Sequence, residues 1–190
     1  MKTKKLLTYN NSKLKPDGIA VWSLPAGKTC PMAGACAKYC YAKKGFYRMS
    51  GPENLRARNH RLTLKDSFIG LMDSEIKSSN LHTVRVHDSG DFYNAKYLEK
   101  WITLAKQNPL VVFYAYTKSV SLVKRYALPE NLKVTFSYGG LEDHLIRPED
   151  RQAKIYTDFD VMNQEGFANA SHSDMVTAYG YNNKIGLIAH

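Results

Sequence analysis

Apolar residues along this chain alternate with polar ones over short runs, recur at helical spacing, then alternate again, and this switching restricts the fold more than any other feature. The first β-like run is Ile19 to Leu24. Ser50 to Glu53 then has the form of a capping box with proline in the first turn, opening one helix whose Leu55, Leu62, Ile69 and Ile76 share a face. Thr83 to His87 is the next strand, followed by a helix from about Asn94 with Leu98, Trp101, Ile102 and Ala105 facing inward. Val111 to Tyr116 and Leu132 to Ser137 are further strands on either side of a helical Val120 to Tyr126, and Ile155 to Thr157 and Ile185 to Ile188 are short final ones. Strands alternating with helices imply βαβ units and a parallel sheet. The expected architecture is α/β, a partial (β/α) barrel of five or six strands in a single domain over residues 1–190.

The strands end in polar, glycine-containing turns: Asp88-Ser89-Gly90-Asp91, Thr117-Lys118-Ser119, Tyr138-Gly139-Gly140 and Asp158. Active sites of such folds lie at the carboxyl ends of strands, which makes these turns the expected site. Side chains two apart share a strand face. If Val84 and Val86 meet the helices, Arg85, His87, Tyr114, Tyr116, Lys118, Thr135, Ser137, Tyr156 and Asp158 lie on the other face. Unpaired buried polar groups cost roughly 1–3 kcal/mol each, so an open, liganded pocket is expected there, with a water-exposed face as the alternative. His87 reads either as a satisfied structural residue or as a proton carrier.

No apolar run approaches the roughly 18 residues of a membrane-spanning helix. The basic start at Lys2, Lys4 and Lys5 is followed only by Leu6 and Leu7, too little for a signal peptide. A reducing, cytoplasmic setting is therefore expected, in which clustered cysteines hold metal or do chemistry more often than they form disulfides. The net charge of +10 is unevenly placed: residues 1–61 carry 13 Lys/Arg against 2 Asp/Glu, whereas the remainder is nearly balanced. An anionic partner would meet the basic third, although solvated lysines alone would give the same count.

That third also contains every cysteine. Cys30, Cys36 and Cys40 fall within eleven residues just after the first strand. Three thiolates on one loop can surround an inorganic centre. Structural zinc usually takes four protein ligands in Cys-x-x-Cys or Cys/His groupings, and the nearest histidine in sequence is His60 on the next helix. A four-iron cluster held by three cysteines keeps one iron open for a ligand. Three merely buried cysteines are the remaining reading.

Cys30 to Ala42, with Tyr39 before the last cysteine, and Ser89-Gly90-Asp91 at the end of the second strand resemble the radical S-adenosylmethionine superfamily. More narrowly, Cys30 to Ala42, Arg85 to Tyr93 and Phe113 to Ser119 are similar to a small bacteriophage family named after gene product eighty-eight. The wider resemblance implies a 4Fe-4S cluster on Cys30, Cys36 and Cys40 that chelates S-adenosylmethionine and cleaves it reductively to a 5′-deoxyadenosyl radical. It implies that Ser89, Gly90 and Asp91 receive the methionyl amino group, Lys118 its carboxylate, Ser137 the ribose and Tyr39 the adenine. It also implies a flavodoxin-like or ferredoxin-like electron donor. The cysteine spacing is wider than is usual in the superfamily, and Asp91 stands where a glutamate is usual.

Between Lys38 and Arg48, Tyr39, Tyr41, Phe46 and Tyr47 interleave with Lys43 and Lys44. Such a mixture suits single-stranded nucleic acid, and it equally suits aromatics that cover a cluster beneath solvated lysines. Two functions are therefore expected: a radical enzyme acting on a nucleic acid, nucleotide or protein, or a non-catalytic nucleic-acid-binding module stabilised by zinc or an iron-sulfur cluster.

Overall fold

The computed structural model describes residues 5–189. The strands are β1 (Ala20–Trp22), β2 (Thr83–Val86), β3 (Val112–Thr117), β4 (Leu132–Ser137), β5 (Gln152–Tyr156), β6 (Ala168–Asn169) and β7 (Lys184–Ile188). They form one seven-stranded sheet in the order β1-β2-β3-β4-β5-β7-β6, parallel at every pairing. The parallel α/β class is as expected. The count exceeds the expected five or six because the two-residue β6 is too short to leave an alternating signal. The sheet is open, with β1 and β6 at its edges; Thr8 closes part of the β1 edge through two backbone bonds to Val21, at 2.8 and 2.9 Å.

The helices are α1 (Cys36–Tyr39), α2 (Ser50–Thr63), α3 (Phe68–Ser78), α4 (Ala95–Gln107), α5 (Val120–Val123), α6 (Phe159–Gln164) and α7 (Met175–Tyr179). Asn94 caps α4 by accepting from the Tyr97 amide at 2.9 Å, and Leu98, Trp101, Ile102 and Ala105 are all buried, as their spacing predicts. The single helix expected after Ser50 is instead two. α2 stops at Thr63 and α3 starts at Phe68, and the expected stripe gives way to Phe68, Met72 and Ile76 as the buried residues of α3. The capping box is also absent: Met49 occupies the cap position and no side chain bonds the first turn.

The main core lies on one face of the sheet, where Trp22, Val84, Val86, Phe113 and Ala115 meet Phe68, Met72, Leu98 and Trp101. On the opposite face the expected open pocket is filled by the protein itself. Residues 170–181, including α7, cover it. There Asp174 pairs with Arg85 at 2.9 Å and Lys13 at 2.6 Å and accepts from the Tyr114 hydroxyl at 2.8 Å. The Tyr116 hydroxyl lies 2.6 Å from Thr177 Oγ1, and Arg151 donates to the Thr177 carbonyl at 2.7 Å. The part of this polar face formed by Arg85, Tyr114 and Tyr116 is thus satisfied by polar groups arriving from the chain's last segment.

Candidate functional site at the carboxyl end of the sheet

The loop carrying the cysteines leaves β1 and is fastened at two places. At the β2 end, Leu24 and Ser89 exchange backbone and side-chain bonds, Leu24 N to Ser89 O and Ser89 Oγ to Leu24 O, each 2.8 Å. Gly90 lies at φ +86°, and a Cβ there would come within 2.5 Å of Leu24 Cβ and 2.7 Å of Thr29 Oγ1. Only glycine permits that approach. At the β4 end, Cys36 N donates to Gly139 O at 3.1 Å and Leu141 N donates to Met32 O at 3.0 Å. Gly34 and Gly140 pack backbone on backbone, since a Cβ on Gly34 would fall 2.8 Å from the Gly140 carbonyl carbon. Asp143 holds the glycine pair from below by accepting from Gly139 N at 2.7 Å and Gly140 N at 2.9 Å.

This double fastening brings five of the expected site residues, Ser89, Gly90, Asp91, Lys118 and Ser137, to one end of the sheet in addition to the cysteine loop. Asp91, 4% exposed, accepts from Phe92 N (2.6 Å) and the Thr117 hydroxyl through Oδ1, and from Lys118 N (2.9 Å) through Oδ2. It joins the ends of β2 and β3, and Oδ2 keeps a lone pair unused by these partners. Burial lifts its pKa to about 6 against these hydrogen bonds. Lys118 Nζ donates to Ser137 O and Ser137 Oγ, both at 3.0 Å, and to Tyr138 O at 2.7 Å. Its three N–H groups are therefore all engaged within the β4 turn. Burial lowers the Lys118 pKa, while Cys36, Asp91, Asp143 and Cys30 pull it upward. Burial pushes the Cys30 thiol up to about 11, with Asp91, Cys40 and Cys36 adding to the shift. Lys118, Asp91 and the cysteines thus share one electrostatic neighbourhood. Tyr39, between Cys36 and Cys40 at the end of α1, is 76% exposed and makes no hydrogen bond to these residues among the described ones.

The cysteines are unpaired and half-buried. Among the described residues no three His, Cys, Asp or Glu side chains converge as tightly as one ion requires. A cluster makes a different demand, since each cysteine thiolate binds its own iron and the loop has to surround rather than converge.

Tyr156 and Asp158 do not join the site: Tyr156 packs on Phe167 and donates to Glu165 at 2.7 Å, and Asp158 caps α6. His87 departs from the expected face. Its φ of +73° breaks the alternation after Val86, and the ring turns to the helix side against Phe92, with Nε2 2.8 Å from the Tyr97 hydroxyl. Burial and Arg85 hold its pKa down to about 3. Sequence reasoning missed Asp143 and Gly34 as supports of the site, and gave Thr117 only as part of the turn after the third strand. The Gly-Gly pair followed three residues later by an acid was a readable sign of the Asp143 turn.

A parallel α/β sheet that carries a three-cysteine loop across its carboxyl ends defines the class of this protein. The chain belongs to the Gene product 88 family, a phage family whose model matches residues 1–187. No curated protein and no solved structure matches it.

Proposed function

We propose that this protein is an iron-sulfur enzyme that binds S-adenosylmethionine at the carboxyl end of the sheet and cleaves it reductively. The observation that supports the reading is the double fastening of the cysteine loop, which brings Cys30 and Cys36 into the electrostatic neighbourhood of Asp91 and Lys118, with Cys40 next to Cys30. When bound, a 4Fe-4S cluster on Cys30, Cys36 and Cys40 would supply a low-potential electron to the sulfonium of a chelated cofactor and so give a 5′-deoxyadenosyl radical.

The residues of the chain bind and orient. Cys30, protonated at neutral pH when buried without a metal, gives up its proton on ligation, so cluster assembly releases acid. Asp91 offers the free lone pair of Oδ2 to the methionyl ammonium, with Ser89 and Gly90 holding the loop at that point. Lys118 pairs with the methionyl carboxylate by exchanging its bond to the Ser137 hydroxyl, which frees Ser137 for the ribose. Tyr39, expected at the adenine, is left out of this reading because its side chain is exposed. A flavodoxin-like or ferredoxin-like protein is the proposed electron source.

Anaerobic reconstitution tests the reading. The expected product is brown, with iron and sulfide near about four each per chain, and forms 5′-deoxyadenosine from S-adenosylmethionine on reduction. Cys36→Ala should lose the colour, and Asp91→Ala should weaken cofactor binding about tenfold or more. Stoichiometric zinc with no iron would overturn the proposal and leave a metal-stabilised binding module in its place.

A further inference from the structure

Immediately beyond Cys40 the chain makes two 3₁₀ turns, Tyr41–Lys43 and Gly45–Arg48, before entering α2. Of the four aromatics between residues 39 and 47, two are tied to Asp88, although Tyr41 is still 53% exposed. The Tyr41 hydroxyl donates to the Asp88 carbonyl, and Tyr47 donates to Asp88 Oδ2 at 3.1 Å, with its ring under Arg56 at 5.3 Å. The other two are left outside: Tyr39 is 76% and Phe46 71% exposed.

The cations around them are equally unengaged. Among the described residues, Lys38, Lys43, Lys44 and Arg48 are exposed and have neither an ion pair nor a side-chain hydrogen bond. Elsewhere Lys13, Arg85, Lys124 and Lys154 are paired with carboxylates. No acidic residue lies between Asp17 and Glu53. The result is a ledge pinned from behind by Asp88 and Arg56, presenting bare ring faces among uncompensated positive charges next to the cysteine loop.

We infer that this ledge takes single-stranded nucleic acid, whose bases stack on Tyr39 and Phe46 while its phosphates meet Lys38, Lys43, Lys44 and Arg48. The inference rests on the site proposed above for its reactive neighbour and names the substrate class delivered to it. A polyanion satisfies the charge. Exposed ring faces add a requirement that a duplex, with its bases stacked on each other, does not meet.

The test is fluorescence anisotropy with a labelled single strand of about 15 nucleotides, its duplex, anionic phosphatidylserine vesicles and an acidic flavodoxin, using the full chain with and without reconstituted iron. Iron content and strand binding are separate readings, so either proposal can fail alone. Binding should favour the single strand, with log affinity falling against log salt at a slope of about −3 for four phosphates. The variant Tyr39→Ala/Phe46→Ala should bind about tenfold or more weakly, and Lys43→Ala/Lys44→Ala should flatten the slope by about 1.4. Lys106→Ala on the exposed side of α4 should bind as the parent does, and thermal melts confirm that the variants fold. No strand binding at low salt, an aromatic variant that binds unchanged, or tighter capture of duplex, vesicles or flavodoxin would each overturn the inference.

Discussion

The polar groups under α7 and those around the cysteine loop are drawn from the same residue types, yet the fold treats them in opposite ways. Under α7, Asp174 neutralises Arg85 and Lys13, and the hydroxyls of Tyr114 and Tyr116 each find a partner, so the region closes on itself. Around the cysteines, backbone contacts fasten the loop while the thiols stay free and the cations of the ledge have no ion pair among the described residues. Polarity on a parallel sheet is therefore a poor indicator of a binding site. What separates the two regions is whether the chain supplies its own counter-groups.

Removing a counter-group from the closed region should have the largest effect. Asp174→Ala leaves the Arg85 guanidinium buried without its carboxylate, and urea unfolding is expected to show a loss of about 3–5 kcal/mol. A loss below about 1 kcal/mol would mean that this region is as open to water as the other.

His87 lies at the end of β2 and gives an intermediate effect with a defined pH signature. Its ordinary pKa of 6.5 is held down to about 3 in the fold by burial and by Arg85. Between these values the unfolded chain takes up a proton that the native state refuses, so stability falls as pH drops through about 6.5. By pH 5 the loss should be about 2 kcal/mol, and a ring resonance that stays neutral from pH 7 to 5 would confirm the cause. A ring that titrates normally would place His87 in contact with solvent.

The smallest effect belongs to the ledge. Lys43→Ala/Lys44→Ala should change unfolding free energy by less than about 0.5 kcal/mol, because neither ammonium has a partner among the described residues. A larger cost would show that these lysines support the fold, and the contrast between the two regions would collapse.

Much of this was legible before any coordinates, and the rest failed for physical reasons. The cap at Asn94 and the apolar face of α4 carried both boundary and orientation. The polar turns after β2, β3 and β4 were readable as motifs, and the structure brings Asp91, Lys118 and Ser137 from them together. The break between α2 and α3 was hidden because Leu62, Ile69 and Ile76 continue in register across Lys65-Asp66-Ser67. The cover over Arg85, Tyr114 and Tyr116 was invisible because α7 is five residues long and its decisive group, Asp174, works over long sequence distances. The tie from Cys36 to Gly139 is made by backbone atoms, on which side-chain patterns are silent.

That same tie orders events during synthesis. Cys30, Cys36 and Cys40 leave the ribosome early, and the turn at residues 139–141 that anchors their loop is made much later. Until then the nascent thiols have no scaffold and stand open to oxidants. The cysteine loop therefore takes its final shape only after residues 139–141 have been made.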